Sequence, residues 1–94
     1  MTYKIKFIPA ALKEWKKLAP SLRDQLKKKL SERAENPHVP ASRLRGYESV
    51  YKIKMKTAGY RLVYEVEDDE IVIYVLAVGK RERDAVYKKL AERR

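Results

Sequence analysis

Ninety-four residues make one domain, which at this size buries roughly 60 percent of its unfolded surface without a metal or disulfide staple. The absence of cysteine excludes a disulfide framework and thiol chemistry, and a single histidine excludes paired-imidazole machinery and multi-histidine metal sites. Twenty-three Lys and Arg against thirteen Asp and Glu leave a formal charge of +10 and a pI near 9.9, which point to a polyanion partner, because clustered cations release counterions from phosphate.

Thr2 to Ile8 sets Tyr3, Ile5 and Phe7 against Lys4 and Lys6, the alternation of a half-buried strand. The same amino-terminal stretch is charged at short intervals and lacks the apolar run of a signal peptide or membrane span, so the expected location is the cytoplasm, without membrane contact. Pro9 suits a first helical turn, and Ala11, Leu12, Trp15, Leu18 and Ala19 then recur at helical spacing, with Trp15 as the expected core anchor. Pro20 interrupts. Ser21 with Asp24 gives a capping-box signal, and Leu22, Leu26, Leu30 and Ala34 repeat every four residues, which predicts a second helix and, with the first, a helical hairpin. Lys27, Lys28 and Lys29 lie in that helix, where a solvated outer face and a nucleic-acid contact share one pattern. Asn36-Pro37-His38-Val39-Pro40 ends it as a loop, and His38 reads as a loop residue.

From Arg43 to Glu67 the pattern changes to period two around a Lys56-Thr57-Ala58-Gly59 turn. Tyr51, Ile53 and Met55 fall on one side of the first strand and Lys52, Lys54 and Lys56 on the other. In the second strand Tyr60, Leu62, Tyr64 and Val66 make an apolar face, with Arg61, Val63 and Glu65 opposite. Residues 43 to 61 hold six cations against Glu48 alone, half of the chain's excess charge. Glu67-Asp68-Asp69-Glu70 then makes an acidic turn, Ile71 to Val78 is apolar on both faces like a central strand, and Gly79 ends it. Lys80 to Arg83 leads into a short helix carrying Val86, Tyr87 and Leu90.

The predicted order is β-α-α-β-β-β-α, a small single α+β domain over residues 1–94. Its sheet is four-stranded and mostly antiparallel, with the N-terminal helical hairpin packed on one face, a short C-terminal helix, and the second face open. That open face is expected to gather Lys52, Lys54 and Arg61 near the end of the central strand, where Arg81 and Tyr87 emerge, as a candidate phosphate site.

The segments LKEWKKL, LRGYESVYKIKMKTAGYRLVYEV and VGKRERDAVY resemble the bacterial RelE toxins, and the likeness covers nearly the whole chain. The superfamily of those toxins also contains the ParE gyrase inhibitors, so the fold alone does not decide the activity. What the resemblance implies is a metal-independent mRNA interferase that acts in the A site of the 70S ribosome, needs no cofactor, is paired with a RelB-type antitoxin, and reaches operator DNA only through the antitoxin complex. It also implies catalytic roles for Lys52, Lys54, Arg61, Arg81 and Tyr87, all present here. The other cations, Lys27, Lys28, Lys29, Arg43 and Arg45, are then expected against rRNA.

Those residue types suit RNA cleavage on chemical grounds as well. The ribose 2′-OH must lose a proton, the pentavalent phosphate must be stabilised, and the 5′-oxygen must be neutralised as it leaves. Arg61 suits the second task, because a guanidinium fork matches phosphate oxygens and stays charged. Lys52 is the expected base, with Lys54 as stabiliser or substitute base, although a free lysine with a pKa of about 10.4 is a poor base until neighbouring charge depresses it. Arg81 serves the leaving group by neutralising charge, and Tyr87 stacks on a base or donates its phenol. Arg61 could instead pair with Glu65 or Glu48, and Tyr87 could be core. The alternatives to cleavage are a ParE-like gyrase-directed toxin and a non-catalytic ribosome or RNA binder. The antitoxin is expected to cover the basic face and to displace or wrap the last helix, for which only Val86 and Leu90 supply large apolar groups.

Overall fold

A computed structural model describes residues 2–56, 58–80 and 85–93. The elements run β1 (Lys4–Phe7), α1 (Pro9–Lys16), α2 (Pro20–Glu35), a 3-10 turn (Pro40–Ser42), β2 (Val50–Met55), β3 (Tyr60–Glu67), β4 (Val72–Lys80) and α3 (Ala85–Arg93). This is the expected β-α-α-β-β-β-α order. The sheet runs β1-β4-β3-β2, with β2, β3 and β4 antiparallel and β1 joined parallel to β4.

Alternation puts the larger core between sheet and helical hairpin: Tyr51, Ile53, Met55, Leu62, Tyr64, Ile73 and Val75 meet Ala11, Leu18, Leu26, Leu30 and Ala34. Trp15 is partly buried there, its ring 5.0 Å from that of Phe7. Pro20 falls between the two helices as expected: α1 ends at Lys16 and Pro20 opens the first turn of α2. Ala19 is the N-cap and no side chain caps that end; because the helix starts at Pro20, Ser21 lies inside its first turn and not at the N-cap, so the Ser21/Asp24 capping box is not formed. Before the central strand, Ile71 lies in the turn with φ 57°, so β4 starts at Val72; it also runs past Gly79 to Lys80.

The second sheet face is not open. Helix α3 lies on it, burying Val86 and Leu90 against Val50, Val63, Leu76 and Ala77. A bulge makes that face. Val63 pairs with Ala77 and Tyr64 with Val75, so Leu76 is the extra residue and points with Ala77 toward α3, before Val78 returns to the larger core. Beyond the bulge, α3 crosses so near Gly79 that an added Cβ would sit 3.1 Å from Lys89 Nζ.

A polar clamp fastens α3 where apolar contact is small. Glu14 of α1 takes a bidentate pair from Arg93 (both 2.9 Å), a 2.8 Å contact from Lys89, and the Val78 backbone N–H at 3.1 Å, while Arg93 also donates to the Leu76 carbonyl. The expectation that few large apolar groups, chiefly Val86 and Leu90, leave this helix cheap to detach omitted that clamp. Burial alone would raise the Glu14 pKa, but the bonds from Arg93, Lys89 and Val78 outweigh it and bring the carboxyl to about 2.

Because the folded pKa is depressed, the clamp's contribution is complete above the ordinary carboxyl value of 4.5 and is lost as pH falls toward about 2. With solvent screening allowed for, it is worth on the order of 1–2 kcal/mol. Glu14→Gln should therefore lower amide-exchange protection in α3 at neutral pH while leaving β4 protected, and the difference from wild type should shrink across that acid range. Equal protection in the two proteins at neutral pH would show that the clamp does not hold the helix.

Candidate RNA-cleavage site

The β2–β3 register brings the predicted cations together. Lys52 lies opposite Val63 and Lys54 opposite Arg61, so three cations occupy adjacent positions on the α3 side of the hairpin. Tyr51, Ile53 and Met55 are 4%, 2% and 5% exposed on the other side and pin that orientation, because slipping the register by one residue would bury lysines and expose this core. Directly opposed like charges destabilise a strand pair, so the hairpin spends core packing to hold them.

The crowding shows in Lys54. Lys52, then Arg61, then slight desolvation and Lys56 hold its ammonium below the ordinary lysine value. Lys52 is partly exposed and Lys54 exposed. Among the described residues no carboxylate pairs with Arg61, so the alternative partners Glu65 and Glu48 do not neutralise it. Tyr87 is half-buried and packs on the cluster that contains Val63, the residue opposite Lys52, which brings its ring to the lysine side of the sheet. Arg81 lies outside the described residues.

The expected rRNA contacts divide. Lys29 lines the same cleft as Lys52 and Lys54, whereas Lys27 lies by Trp15, Ile5 and Arg23 on the β1 side of α2. Lys28 sits with Lys29 and Glu32 on the outer face. The triplet is therefore no single patch, because successive helical residues diverge by about 100°. Arg43 and Arg45 are exposed, with the Arg43 guanidinium donating to the Tyr47 carbonyl at 3.1 Å.

Sequence reasoning missed Arg33. From α2 it donates to the Lys52 carbonyl (3.2 Å), the Tyr64 hydroxyl (3.0 Å) and Ser42 Oγ (3.2 Å), tying the helix to the strand that carries the lysines. Its one signal was position: Arg33 follows Lys29 by four residues, on the border of the apolar stripe. His38, read as a plain loop residue, bridges the Tyr51 hydroxyl (3.0 Å) and Asp68 Oδ1 (2.8 Å), and Asp68 also accepts from Tyr3 at 2.7 Å. This network fastens the loop on the hairpin's other face, away from the lysines. Among the described residues no group of three His, Cys, Asp or Glu side chains is placed to hold a metal ion.

The geometry predicts that Lys54 Nζ titrates below an ordinary lysine and that Arg61→Gln raises it. NMR titration of the lysine side-chain carbons would read this directly, and an unmoved Lys54 curve in the variant would contradict the assigned coupling.

Residues 5–85 match the family of ParE toxins of type II toxin-antitoxin systems. Over 93 residues the chain is 50% identical to the mRNA interferase toxin RelE of Escherichia coli strain K12, covering 99% of this chain and 98% of that protein. A solved structure of a double mutant of the E. coli RelE toxin in the free state is 48% identical, with TM-score 0.91 and coverage of 99% and 98%. The toxin in the intact E. coli RelBE toxin-antitoxin complex is 52% identical, with TM-score 0.83, over 86% of this chain and 99% of that one. With near-complete coverage at half identity and the same arrangement of strands and helices, the chain belongs to the RelE family of toxins, within the RelE/ParE superfamily.

Proposed function

We propose that this protein is the toxin of a type II toxin-antitoxin system and cuts mRNA in the ribosomal A site. The observation that carries the reading is the set of crowded cations on the β2–β3 face, with Lys54 destabilised by its neighbours and Arg61 paired with no carboxylate among the described residues. A gyrase-directed toxin has no need of such a set.

In this reading the 2′-OH transfers its proton to Lys52, with Lys54 as electrostatic stabiliser or substitute base. The 2′-oxygen then bonds to phosphorus, Arg61 holds the equatorial oxygens of the pentavalent phosphate, and the P–O5′ bond breaks. Arg81 neutralises the departing 5′-oxygen, which takes its proton from solvent water once it has left, and Tyr87 stacks on a base or donates its phenol. The products are a 2′,3′-cyclic phosphate and a 5′-OH. Side-chain cations carry every charge in this scheme, so it invokes neither metal nor cofactor.

A lysine pair exposed to solvent is a modest base, so the reaction depends on RNA held for in-line attack, and such positioning is worth several kcal/mol. The ribosome supplies that positioning and excludes water, while Lys28, Lys29, Arg43 and Arg45 meet rRNA backbone and Lys27 serves from the other flank. Partnership with a RelB-type antitoxin, operator binding through that complex, and action in the cytoplasm complete the assignment. No described helix is long and apolar enough to cross a membrane.

Arg61→Ala removes a charge stabiliser without touching the core, so a folded variant should lose on the order of 10² to 10³ in cleavage rate on programmed ribosomes. Primer extension on one message, naked and ribosome-bound, with and without a single 2′-deoxyribose 5′ to the cut, tests the rest. Cleavage should need both the ribosome and the 2′-OH. Efficient cutting of naked RNA, or cutting at the deoxy position, would overturn this mechanism, and arrested growth with intact mRNA would favour the gyrase-directed alternative.

A further inference from the structure

A cleft of about 220 Å³ lies between the C-terminal half of α2 and the outer edge of β2, lined by Lys29, Glu32, Arg33, Ser42, Lys52 and Lys54. Four cations face one carboxylate. Arg33 is the unusual member, because it is partly buried and its guanidinium is held by neutral acceptors alone: a backbone carbonyl, a phenol and a hydroxyl. Among the described residues no carboxylate pairs with it. A half-buried cation beside other cations is costly until an anion arrives. Its neutral anchors fix the direction of the fork, so the charge is held in place without being spent. Ser42 accepts from Arg33 and therefore keeps its own hydroxyl proton to donate. A concavity with a fixed guanidinium, mobile ammonium groups and a hydroxyl donor matches the tetrahedral oxygens of a phosphodiester.

We propose that this cleft is a second phosphate site that grips one phosphodiester of an RNA strand flanking the phosphate cut on the neighbouring face of β2. The proposal rests on the RNA-cleavage reading above for the identity of the strand. Lys52 and Lys54 line both places, Lys29 and Arg33 belong to the cleft alone, and a strand held at two phosphates has less freedom to leave the in-line geometry. The phosphodiester belongs either to the message or to rRNA, and the chemistry of recognition is the same.

The test uses the full-length wild-type chain and an uncleavable 2′-O-methyl RNA oligonucleotide, with affinity followed by fluorescence anisotropy over a series of salt concentrations. Arg33→Gln, with its melting transition checked, should bind several-fold more weakly, with a salt slope shallower by about 0.7, the value for one phosphate contact on a single strand. Arg33→Lys should recover much of the slope. A single neutral methylphosphonate, moved along the oligonucleotide, should at one position weaken wild type and add nothing to Arg33→Gln, which assigns the phosphodiester to the message. If no position couples but Arg33→Gln weakens binding to ribosomes with a vacant A site and flattens that salt slope, the phosphodiester is ribosomal and the site stands. Unchanged affinity and slope on both RNAs would overturn the proposal. Should Arg33→Gln not fold, Lys29→Gln with Ser42→Ala, neither of which reaches the core, carries the same comparison. Binding is read without cleavage, so a wild type that grips RNA through this cleft but fails to cut it would sink the proposed activity and leave the second site intact.

Discussion

Repulsion among Lys52, Lys54 and Arg61, enforced by the β2–β3 register, is the constraint on which the rest of the molecule turns. Strands free to slip or fray would separate these charges. They are held because every second residue of β2 is buried and because Tyr64 anchors the neighbouring strand: its ring stacks on Tyr51 at 5.6 Å and its hydroxyl donates to the Pro37 carbonyl at 2.9 Å. Burial holds the Tyr64 phenol protonated, against the opposing pull of Arg33. Apolar burial on one face of the hairpin therefore maintains an electrostatic strain on the other, and a face under that strain is prepared for an anion.

The second layer of the design is the attachment of α3. The bulge at Leu76 turns two consecutive β4 side chains toward this helix, and Gly79 lets Lys89 pass close to the strand. Glu14 then joins α1, β4 and α3 through one carboxylate. Since Tyr87 rides on α3, the clamp also places an aromatic ring beside the cationic face. An ionic fastening of this kind is firm in water at neutral pH yet has little apolar area to replace, so a partner that offers its own helix and acidic groups can compete for the same surface.

Much of this was legible in the chain. Period-two alternation gave the strands their correct faces, and the apolar run of β4 marked it as central because both sides are covered. What escaped arises from features without a period. A one-residue bulge re-phases β4 but leaves no local signature, and although β4 read as apolar on both faces, the second face of the sheet was expected to be open. The hairpin cations were evident, while Arg33 looked like one more charged residue of α2 until the fold set it against the Lys52 carbonyl. Likewise His38 and Asp68 are 30 residues apart, and only the closed loop joins them.

The central claim is that like-charge crowding on the hairpin prepares the base, and the pH dependence of single-turnover cleavage on programmed ribosomes tests it most directly. The rate should climb with pH as one group loses its proton, with an inflection below the ordinary lysine value of about 10.4. In Arg61→Gln the maximal rate falls and the inflection moves upward, because one of the cations that destabilise Lys54 is gone. A rate independent of pH, or an inflection unmoved by the substitution, would contradict it.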